Sequence, residues 1–288
     1  AHFLIWRNKS FTMTKYWEPP TEVIERKSES ELIKELDSLL LESVSLRMNS
    51  DRGVGAWLSG GVDSSLVTFY MSQVQDLRVE TFSAGFKNRD FDESEYSLEV
   101  SKHLNTIHHP LIIDQGISNT IPGIIEQLDE PFADSSFVAT YLLSEFTSNH
   151  KVVVLGGDGG DEVFGGYDRY VAAPLMQRAN YLLAIAKPIA AVMSKSGVVS
   201  ERKMKRIISQ LQAHPSLAAR YTSIMSLTQP AQIARLLKPE FNLAGANEIY
   251  INDFKRVGAR DSLHAMIRSD FEHYLPGDLL VKADLATM

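Results

Sequence analysis

Apolar residues recur at helical spacing near the start of the chain, over residues 29–48. Leu32, Leu36 and Leu40 mark one face of this segment, and charged residues lie between them, so the pattern predicts an amphipathic helix. Before it, residues 1–20 contain a short strand-like run followed by two consecutive prolines, which indicate a linker.

Beyond residue 48 the pattern changes to short apolar runs that alternate with helical stretches. The predicted strands are residues 54–58, 79–86, 107–113 and 152–155. The predicted helices between them are residues 64–75, 93–104 and 119–128. This alternation is typical of βαβ units, and it predicts an α/β fold with an open parallel sheet, helices on both faces and ligands at the carboxyl ends of strands.

From about residue 171 the chain shows helical periodicity without a convincing strand. The predicted helices are residues 181–193, 203–211, 231–237 and 261–274. We therefore predict three regions: a linker at residues 1–20, an α/β core at 21–170 and a helical subdomain at 171–288. The longest apolar stretch has 13 residues, whereas a membrane-spanning helix needs roughly 20, so we expect no membrane span.

Composition narrows the choice of partners. A net charge of −7 and a pI near 5.6 disfavour nucleic acid as a general partner and favour a small-molecule substrate. The absence of cysteine excludes a disulfide framework, a thiolate zinc site and a cysteine nucleophile within these residues. No signal-peptide pattern opens the chain, so the cytoplasm is the default expectation.

The strongest motif is Ser-Gly-Gly-Val-Asp-Ser-Ser at residues 59–65, which follows a predicted strand and opens a predicted helix. Two glycines allow backbone N–H groups to approach an anion, and the serine hydroxyls and the helix N-terminus add further donors. The Gly-Lys-Ser/Thr ending of a Walker A loop is absent. The motif resembles the SGGxDS pyrophosphate loop of enzymes that split ATP between its α and β phosphates.

A second motif, at residues 153–167, places six glycines and three carboxylates after a predicted strand. Carboxylates beside a triphosphate repel it unless a cation intervenes, and Mg²⁺ prefers hard oxygen ligands from one or two carboxylates together with phosphates. The acidic groups therefore predict Mg²⁺. Their spacing does not fit the calcium loop of an EF-hand.

Together the motifs bring the chain close to one family. SGGxDSS is followed by FSxGF at residues 82–86, DEPxAD at 129–134 and GxGGDExFGGYxRY at 157–170. This series is similar to the synthetase domain of glutamine-dependent asparagine synthetases, and the match runs from about residue 16 to residue 288. The resemblance implies a fold like that of the adenine nucleotide alpha hydrolases.

The resemblance also implies a two-step reaction that uses Mg²⁺ and ATP. A substrate carboxylate, with aspartate the first candidate, attacks the α-phosphate and releases pyrophosphate. Ammonia supplied from glutamine by a glutaminase domain then displaces AMP and forms an amide. Positioning and charge neutralisation supply most of the catalysis in such a reaction.

Site residues are carried over from the family position by position. Those implied to hold pyrophosphate are Ser59, Gly60, Gly61, Asp63, Ser64 and Ser65. Those implied to contact the rest of ATP are Leu58, Ala84 and Gly157 at the adenine and ribose, with Gly156 beside them. Asp63 and Asp161 are the implied Mg²⁺ ligands, and Asp158 is the implied general base that takes a proton from the attacking amine.

Several expectations concern the ends of the chain and its assembly. Residues 1–20 resemble the tail of the family's glutaminase domain, and the family continues beyond residue 288 with further substrate-handling residues. We therefore expect this chain alone to bind Mg-ATP weakly and to have little synthetase activity. Leu285 stands where the family usually has a basic residue. A homodimer is left open.

Alternatives remain at this stage. The same motifs serve relatives that amidate sugar acids, close β-lactams or cyclise peptides. Two further hypotheses are a sulfur-transfer or tRNA-modifying pyrophosphatase and a catalytically silent adenylate-binding module.

Arg169 and Tyr170 either contact substrate or anchor the acidic loop. His103, His108 and His109 are interpreted as structural or surface residues, because no further metal ligands cluster near them in the sequence.

Overall fold

The structure is a computed structural model of the 288-residue chain. It describes residues 1–20, 27–88, 92–114, 120–126, 128, 130–171, 216–226, 228, 230–238, 251–252, 254–255 and 262–288. The chain divides into two compact units, which we call the hairpin unit (residues 1–27 and 168–269) and the sheet unit (residues 28–167 and 270–288).

The strands are β1 (His2–Arg7), β2 (Ser10–Lys15), β3 (Val54–Trp57), β4 (Glu80–Phe86), β5 (Ile107–Ile113) and β6 (Val153–Leu155). The helices are α1 (Glu29–Arg47), α2 (Val62–Val74), α3 (Ser94–His103), α4 (Ile121–Glu126), α5 (Ser136–Ser148), α6 (Gly160–Phe164), α7 (Asp168–Val171), α8 (Leu217–Met225), α9 (Pro230–Leu236), α10 (Ser262–Ser269) and α11 (Leu280–Thr287). A π-helical segment, Asp270–Leu279, separates α10 from α11. Within the described residues, no helix combines the length and hydropathy needed to cross a bilayer.

The hairpin unit begins with an antiparallel pair, β1 and β2. Asn8 and Lys9 form its turn with φ angles of 52° and 58°, which suit the right-handed twist of a two-residue hairpin. The sequence predicts one strand-like run here, so the second strand is an addition. Helix α9 confirms the prediction at residues 231–237, whereas the predicted helices at 181–193 and 203–211 lie outside the described residues.

The sheet unit is built on four parallel strands in the order β5-β4-β3-β6. Each predicted strand of the core is present, with ends that differ by one residue at β3, β4 and β6. The α/β class and the parallel sheet are therefore confirmed. Helix α1 is also confirmed, and a capping box between Ser28 and Glu31 explains why it begins where it does.

Alternating residues of β3 face different helices. Val54 and Ala56 pack in a core with Val44 of α1 and Met71 of α2. On the opposite face, the indole N–H of Trp57 donates to Thr147 Oγ1 of α5 at 3.1 Å. Because successive side chains of a strand point to opposite faces, helices cover both sides of the sheet, as the sequence predicts.

Helix α5 is the largest element that the sequence pattern missed. It packs against β4 and β5 on one side and against α11 on another. Unlike α1, it carries a single charged residue, Glu145, so no charged face marks it in the sequence as an amphipathic helix. The predicted helix at residues 119–128 is shorter than expected, and the one at 261–274 changes to π-helical geometry at Asp270.

Candidate functional site

Strand order fixes where a site can form. The chain passes from β3 outward to β4 and β5, whereas β6 returns on the other side of β3. The loops that follow β3 and β6 therefore lie at a switch point of an open parallel sheet, where such folds bind ligands. Residues 58–61, which we call the serine loop, follow β3, and residues 156–159, which we call the acidic loop, follow β6.

The acidic loop and the start of α6 meet the first turn of α2 so closely that little room is left for side chains between them. A Cβ atom on Gly157 would lie 2.7 Å from the backbone nitrogen of Ser64, and one on Gly160 would overlap the carboxylate of Asp63. A Cβ on Gly166 would likewise overlap the carboxylate of Asp161. Three of the six glycines in the acidic motif are thus required by contact with a backbone or carboxylate group.

This contact places two carboxylates beside each other. The pKa of Asp63 is raised, first by burial of the carboxyl group and second by the negative charge of Asp161. A like charge nearby disfavours ionisation, because two anions repel more strongly where water is partly excluded. A divalent cation between them would relieve both effects.

Hydroxyl groups hold the serine loop in shape. Ser59 Oγ and Ser64 Oγ lie 2.9 Å apart, and Ser64 Oγ donates to the carbonyl of Gly61 at 3.2 Å. Gly61 is the N-cap of α2 and makes no side-chain hydrogen bond to the first turn. The first-turn N–H groups have no intrahelical partner, so this terminus favours an anion.

Two of the predicted phosphate-binding residues, Gly60 and Ser65, do not face the open side of the loop. Gly60 has a φ angle of 87°, and a Cβ there would lie 2.5 Å from the backbone nitrogen of Ser97 in α3. Its missing side chain is therefore explained by packing of the loop against α3. The hydroxyl of Ser65 is buried and has no hydrogen-bond partner among the described residues.

A cleft of about 800 Å³ opens above the two loops. The predicted site residues that line it are Leu58, Ser59, Gly61, Asp63, Ser64, Ala84, Gly156, Gly157, Asp158 and Asp161. Gly60 and Ser65 do not line it. The structure thus brings ten of the predicted positions, drawn from three strand ends, into one cavity.

The cleft lining carries one sign of charge. Five carboxylates face it, those of Asp63, Glu93, Asp158, Asp161 and Glu162, and none of the described lining residues is lysine or arginine. Such a cleft repels a free triphosphate and accepts one that arrives with a divalent cation. Carboxylate oxygens are the ligands that Mg²⁺ prefers, so the donor set fits this ion.

The apolar wall of the cleft was not predicted from the sequence. It is formed by Trp57, Phe82, Phe86 and Leu143, which lie at the ends of β3 and β4 and on α5. The FSxGF motif gave the only sequence signal for it, because its two phenylalanines are those of β4. An aromatic and aliphatic wall suits the flat face of a nucleobase.

Glu162 is a further residue that the sequence reasoning missed. It is 1% exposed, and the hydroxyl of Tyr167 donates to its Oε1 at 2.5 Å. Burial, and then this hydrogen bond, raise the pKa of Tyr167. A strong donor to a buried carboxylate stabilises its charged form, so the pair fixes the acidic end of the cleft wall.

The DEPxAD motif has a structural explanation at Asp134. Its carboxylate accepts hydrogen bonds from the backbone N–H of Ser136 at 2.8 Å and from Lys282 Nζ at 2.9 Å. Burial acts to raise the pKa of Asp134, but these bonds outweigh it and the pKa is lowered. Asp129 lies outside the described residues.

Leu285 packs beside a small apolar cluster that contains Phe137, which accounts for an apolar residue at that position.

Arg169, Tyr170 and His108 have described contacts with other side chains. Arg169 Nε donates to the hydroxyl of Tyr221 at 3.2 Å, and its guanidinium lies over the ring of Tyr170. The ring nitrogens of His108 bond to the hydroxyls of Thr81 and Ser83 within the sheet. A structural role for His108 is confirmed.

Comparison with known proteins agrees with this geometry. The family profile described as asparagine synthase matches residues 35–288. The chain belongs to the asparagine synthase family. Asparagine synthetase (glutamine-hydrolysing) 1 of Bacillus subtilis is 27% identical over the whole chain, which spans 45% of that protein.

Two further matches from the comparisons are more distant. The amidase chyE of Penicillium rubens is 28% identical over 60% of this chain and 29% of its own length. Among solved structures, an NH3-dependent NAD synthetase from Campylobacter jejuni aligns over 78% of this chain and 94% of its own, with 14% identity and a TM-score of 0.35. The chain thus spans less than half the length of the curated relatives named here.

A glycine substitution tests the contact between the loops. Gly160→Ala puts a methyl group where the Asp63 carboxylate lies, so we expect Asp63 to move and the affinity for Mg-ATP to fall at least tenfold in a calorimetric titration. Gly123→Ala is the matched control, because its Cβ meets no heavy atom within 4 Å. That control should bind normally and gain up to about 1 kcal/mol of stability within α4. Equal affinity in Gly160→Ala and wild type would contradict the role given to this contact.

The raised pKa of Asp63 predicts a pH-dependent stability difference. Ionised Asp63 is destabilised first by burial and second by repulsion from Asp161, so without metal Asp63→Asn should melt a few degrees above wild type at pH 8. The difference should shrink as the pH falls through the raised pKa, because wild type then protonates and both costs are lost. Thermal melts from pH 8 to pH 4 measure this. Asp51→Asn, at an exposed position, is the control, and a pH-independent difference for Asp63→Asn would refute the prediction.

The buried pair predicts a stability loss on removal of one hydroxyl. Tyr167→Phe leaves the Glu162 carboxylate buried without this donor, which should cost about 2 kcal/mol in urea unfolding. Tyr96→Phe removes a hydroxyl from a side chain that is 62% exposed and should change stability by less than about 0.5 kcal/mol. Equal effects of the two substitutions would show that the Tyr167 hydrogen bond is not stabilising.

Proposed function

We propose that this chain is the synthetase part of an enzyme that uses ATP to convert a carboxylate into an amide. The observation that carries the proposal is the placement of Asp63, in the first turn of α2, beside Asp161, in the first turn of α6. These helices follow the neighbouring parallel strands β3 and β6. A phosphate-binding turn and an acidic pair in contact suit a metal–nucleotide complex. Membership of the asparagine synthase family supports the same reaction class.

The serine loop and the start of α2 hold the phosphates in this proposal. Backbone N–H groups of this turn and the hydroxyls of Ser59 and Ser64 donate to the β and γ phosphates. Leu58, Ala84 and Gly157 contact the adenine and ribose, against the apolar wall. Asp63 and Asp161 hold Mg²⁺, whose charge would offset that of the phosphates and of the pyrophosphate that leaves.

The first chemical step forms a mixed anhydride. An oxygen of the substrate carboxylate attacks the α-phosphorus, the bond from that phosphorus to the bridging oxygen of the β-phosphate breaks, and pyrophosphate leaves with the electron pair. The product is an acyl-adenylate. The protein's contribution is to hold the two reactants in line and to stabilise the leaving group.

The second step forms the amide. Ammonia attacks the acyl carbon, and the bond to the AMP oxygen breaks. The attacking nitrogen must lose a proton, and we assign Asp158 as the general base that accepts it. Asp158 lies on the acidic loop and faces the cleft, and its side chain is exposed, so it can reach a substrate and return the proton to water.

Substrate and partners are part of the proposal. Aspartate is the first candidate for the carboxylate, and ammonia would come from a glutaminase domain, because the Bacillus subtilis relative is named as a glutamine-hydrolysing asparagine synthetase. Because the chain is also similar to an amidase, the assay must include carboxylates other than aspartate. The proposal assigns residues 21–170 to the ATP-binding core and residues 171–288 to the helical part of the synthetase domain. It also places the protein in the cytoplasm.

Pyrophosphate release tests the proposal. The assay uses the longest natural polypeptide that contains these 288 residues, with ATP, Mg²⁺, ammonium and a panel of carboxylates. We expect release that depends on one carboxylate, with amide and AMP formed in equal amounts. Asp158→Asn should retain adenylation, seen as exchange of labelled pyrophosphate into ATP, and should lose at least a hundredfold in amide formation.

The possible outcomes separate the hypotheses. Release with aspartate supports asparagine synthesis, and release with another acid transfers the proposal to that acceptor. Binding of Mg-ATP without release by any carboxylate would replace it with an adenylate-binding module. Absence of Mg-ATP binding would remove the proposal altogether.

A further inference from the structure

A second cluster of ligand-type side chains lies away from the cleft. Glu80 is the first residue of β4, His109 lies near the start of β5, and His150 comes shortly before β6. One potential ligand atom from each lies within 4.8 Å of the other two. The sequence pattern does not indicate this cluster, since Glu80 and His150 are distant from His109 along the chain.

The spacing of the atoms suits a shared ion. Glu80 Oε2 and His109 Nε2 are 3.3 Å apart. Two ligands held at about 2.1 Å from a tetrahedral zinc ion would be about 3.4 Å apart. The rings of His109 and His150 lie 4.5 Å apart between centroids, so a small rotation of the exposed His150 brings its nitrogen toward the same point.

The Nε2 atom of His109 is buried, and its contact with Glu80 Oε2 at 3.3 Å does not have good hydrogen-bond geometry. The ring cannot turn away easily, because Phe82 stacks on it at 5.0 Å with an interplanar angle of 14°. An ion between the two atoms would give the buried nitrogen a better-aligned partner.

A lysine holds one oxygen of the Glu80 carboxylate, and the other oxygen faces His109. Lys151 Nζ donates to Oε1 of Glu80 at 2.8 Å, and the other oxygen, Oε2, faces His109. The lysine thus orients the carboxylate without occupying both oxygens. Outer partners that orient a ligand in this way are usual around protein-bound metals.

The chemistry of the donors differs from that of the cleft. Imidazole nitrogens suit zinc and its first-row neighbours, whereas Mg²⁺ prefers oxygen. Two histidines and one glutamate form a recurrent three-ligand set for zinc, with water as the fourth ligand. His150 is exposed, so solvent can supply that water.

We propose that Glu80, His109 and His150 form a binding site for a divalent transition-metal ion of the zinc type, separate from the nucleotide cleft. The ion would join β4, β5 and the loop before β6 at one end of the sheet. Its role is structural, and it does not depend on the proposed function of the cleft.

Zinc titration of the tag-free chain, in competition with a chromophoric chelator, tests the site. The chain has no cysteine, so thiolates cannot compete. We expect one equivalent to bind, and His109→Asn, His150→Asn and Glu80→Gln each to weaken binding at least tenfold. His103→Asn is the matched control, because His103 is exposed on α3, and it should bind zinc as wild type does.

A thermal melt separates binding from misfolding. Zinc should raise the Tm of wild type and of His103→Asn and leave that of His150→Asn unchanged, while all three proteins show the same far-ultraviolet circular dichroism without metal. Failure of wild type to bind one equivalent would overturn the proposal. Unchanged affinity in His109→Asn and His150→Asn, or an equal loss in His103→Asn, would also overturn it.

Discussion

The close approach of the two glycine loops is the constraint on which the site depends. Gly157 and Gly160 lie where any side chain would strike Ser64 or Asp63. Because β3 and β6 are neighbouring parallel strands, their following loops emerge side by side, and only residues without a Cβ allow them to touch. The cleft, the acidic pair and the exposed helix terminus all follow from this contact.

The contact brings two carboxylates together, and their repulsion destabilises the folded protein. Asp63 and Asp161 repel each other, and the pKa of Asp63 is raised as a result of burial and of that repulsion. Polar groups arranged at the expense of stability are common at functional sites, because the ligand restores what folding gives up. The described cleft residues include no cation to relieve the repulsion, so the arrangement suits a ligand that brings a cation and a phosphate group together.

Much of this could be predicted from the sequence, because the strongest signals are local. The strand, glycine turn and helix at residues 54–74 are contiguous, so periodicity and turn chemistry reveal both the fold and the loop. The apolar wall and the His109 cluster could not be predicted in this way, because their members meet only after the sheet forms. Glu162 and Tyr167 are five residues apart, but the burial of Glu162 follows only from packing of the folded chain. Helix α5 was not predicted because it carries a single charged residue, Glu145, so no charged face separates its apolar positions.

A crystal structure of the chain with Mg²⁺ and ATP would test the central claim most directly. The account predicts one metal ion at about 2.1 Å from a carboxylate oxygen of both Asp63 and Asp161, with the β and γ phosphates against the backbone of residues 59–65 and the adenine against the apolar wall. A metal bound to neither aspartate, or phosphates placed away from the start of α2, would contradict it.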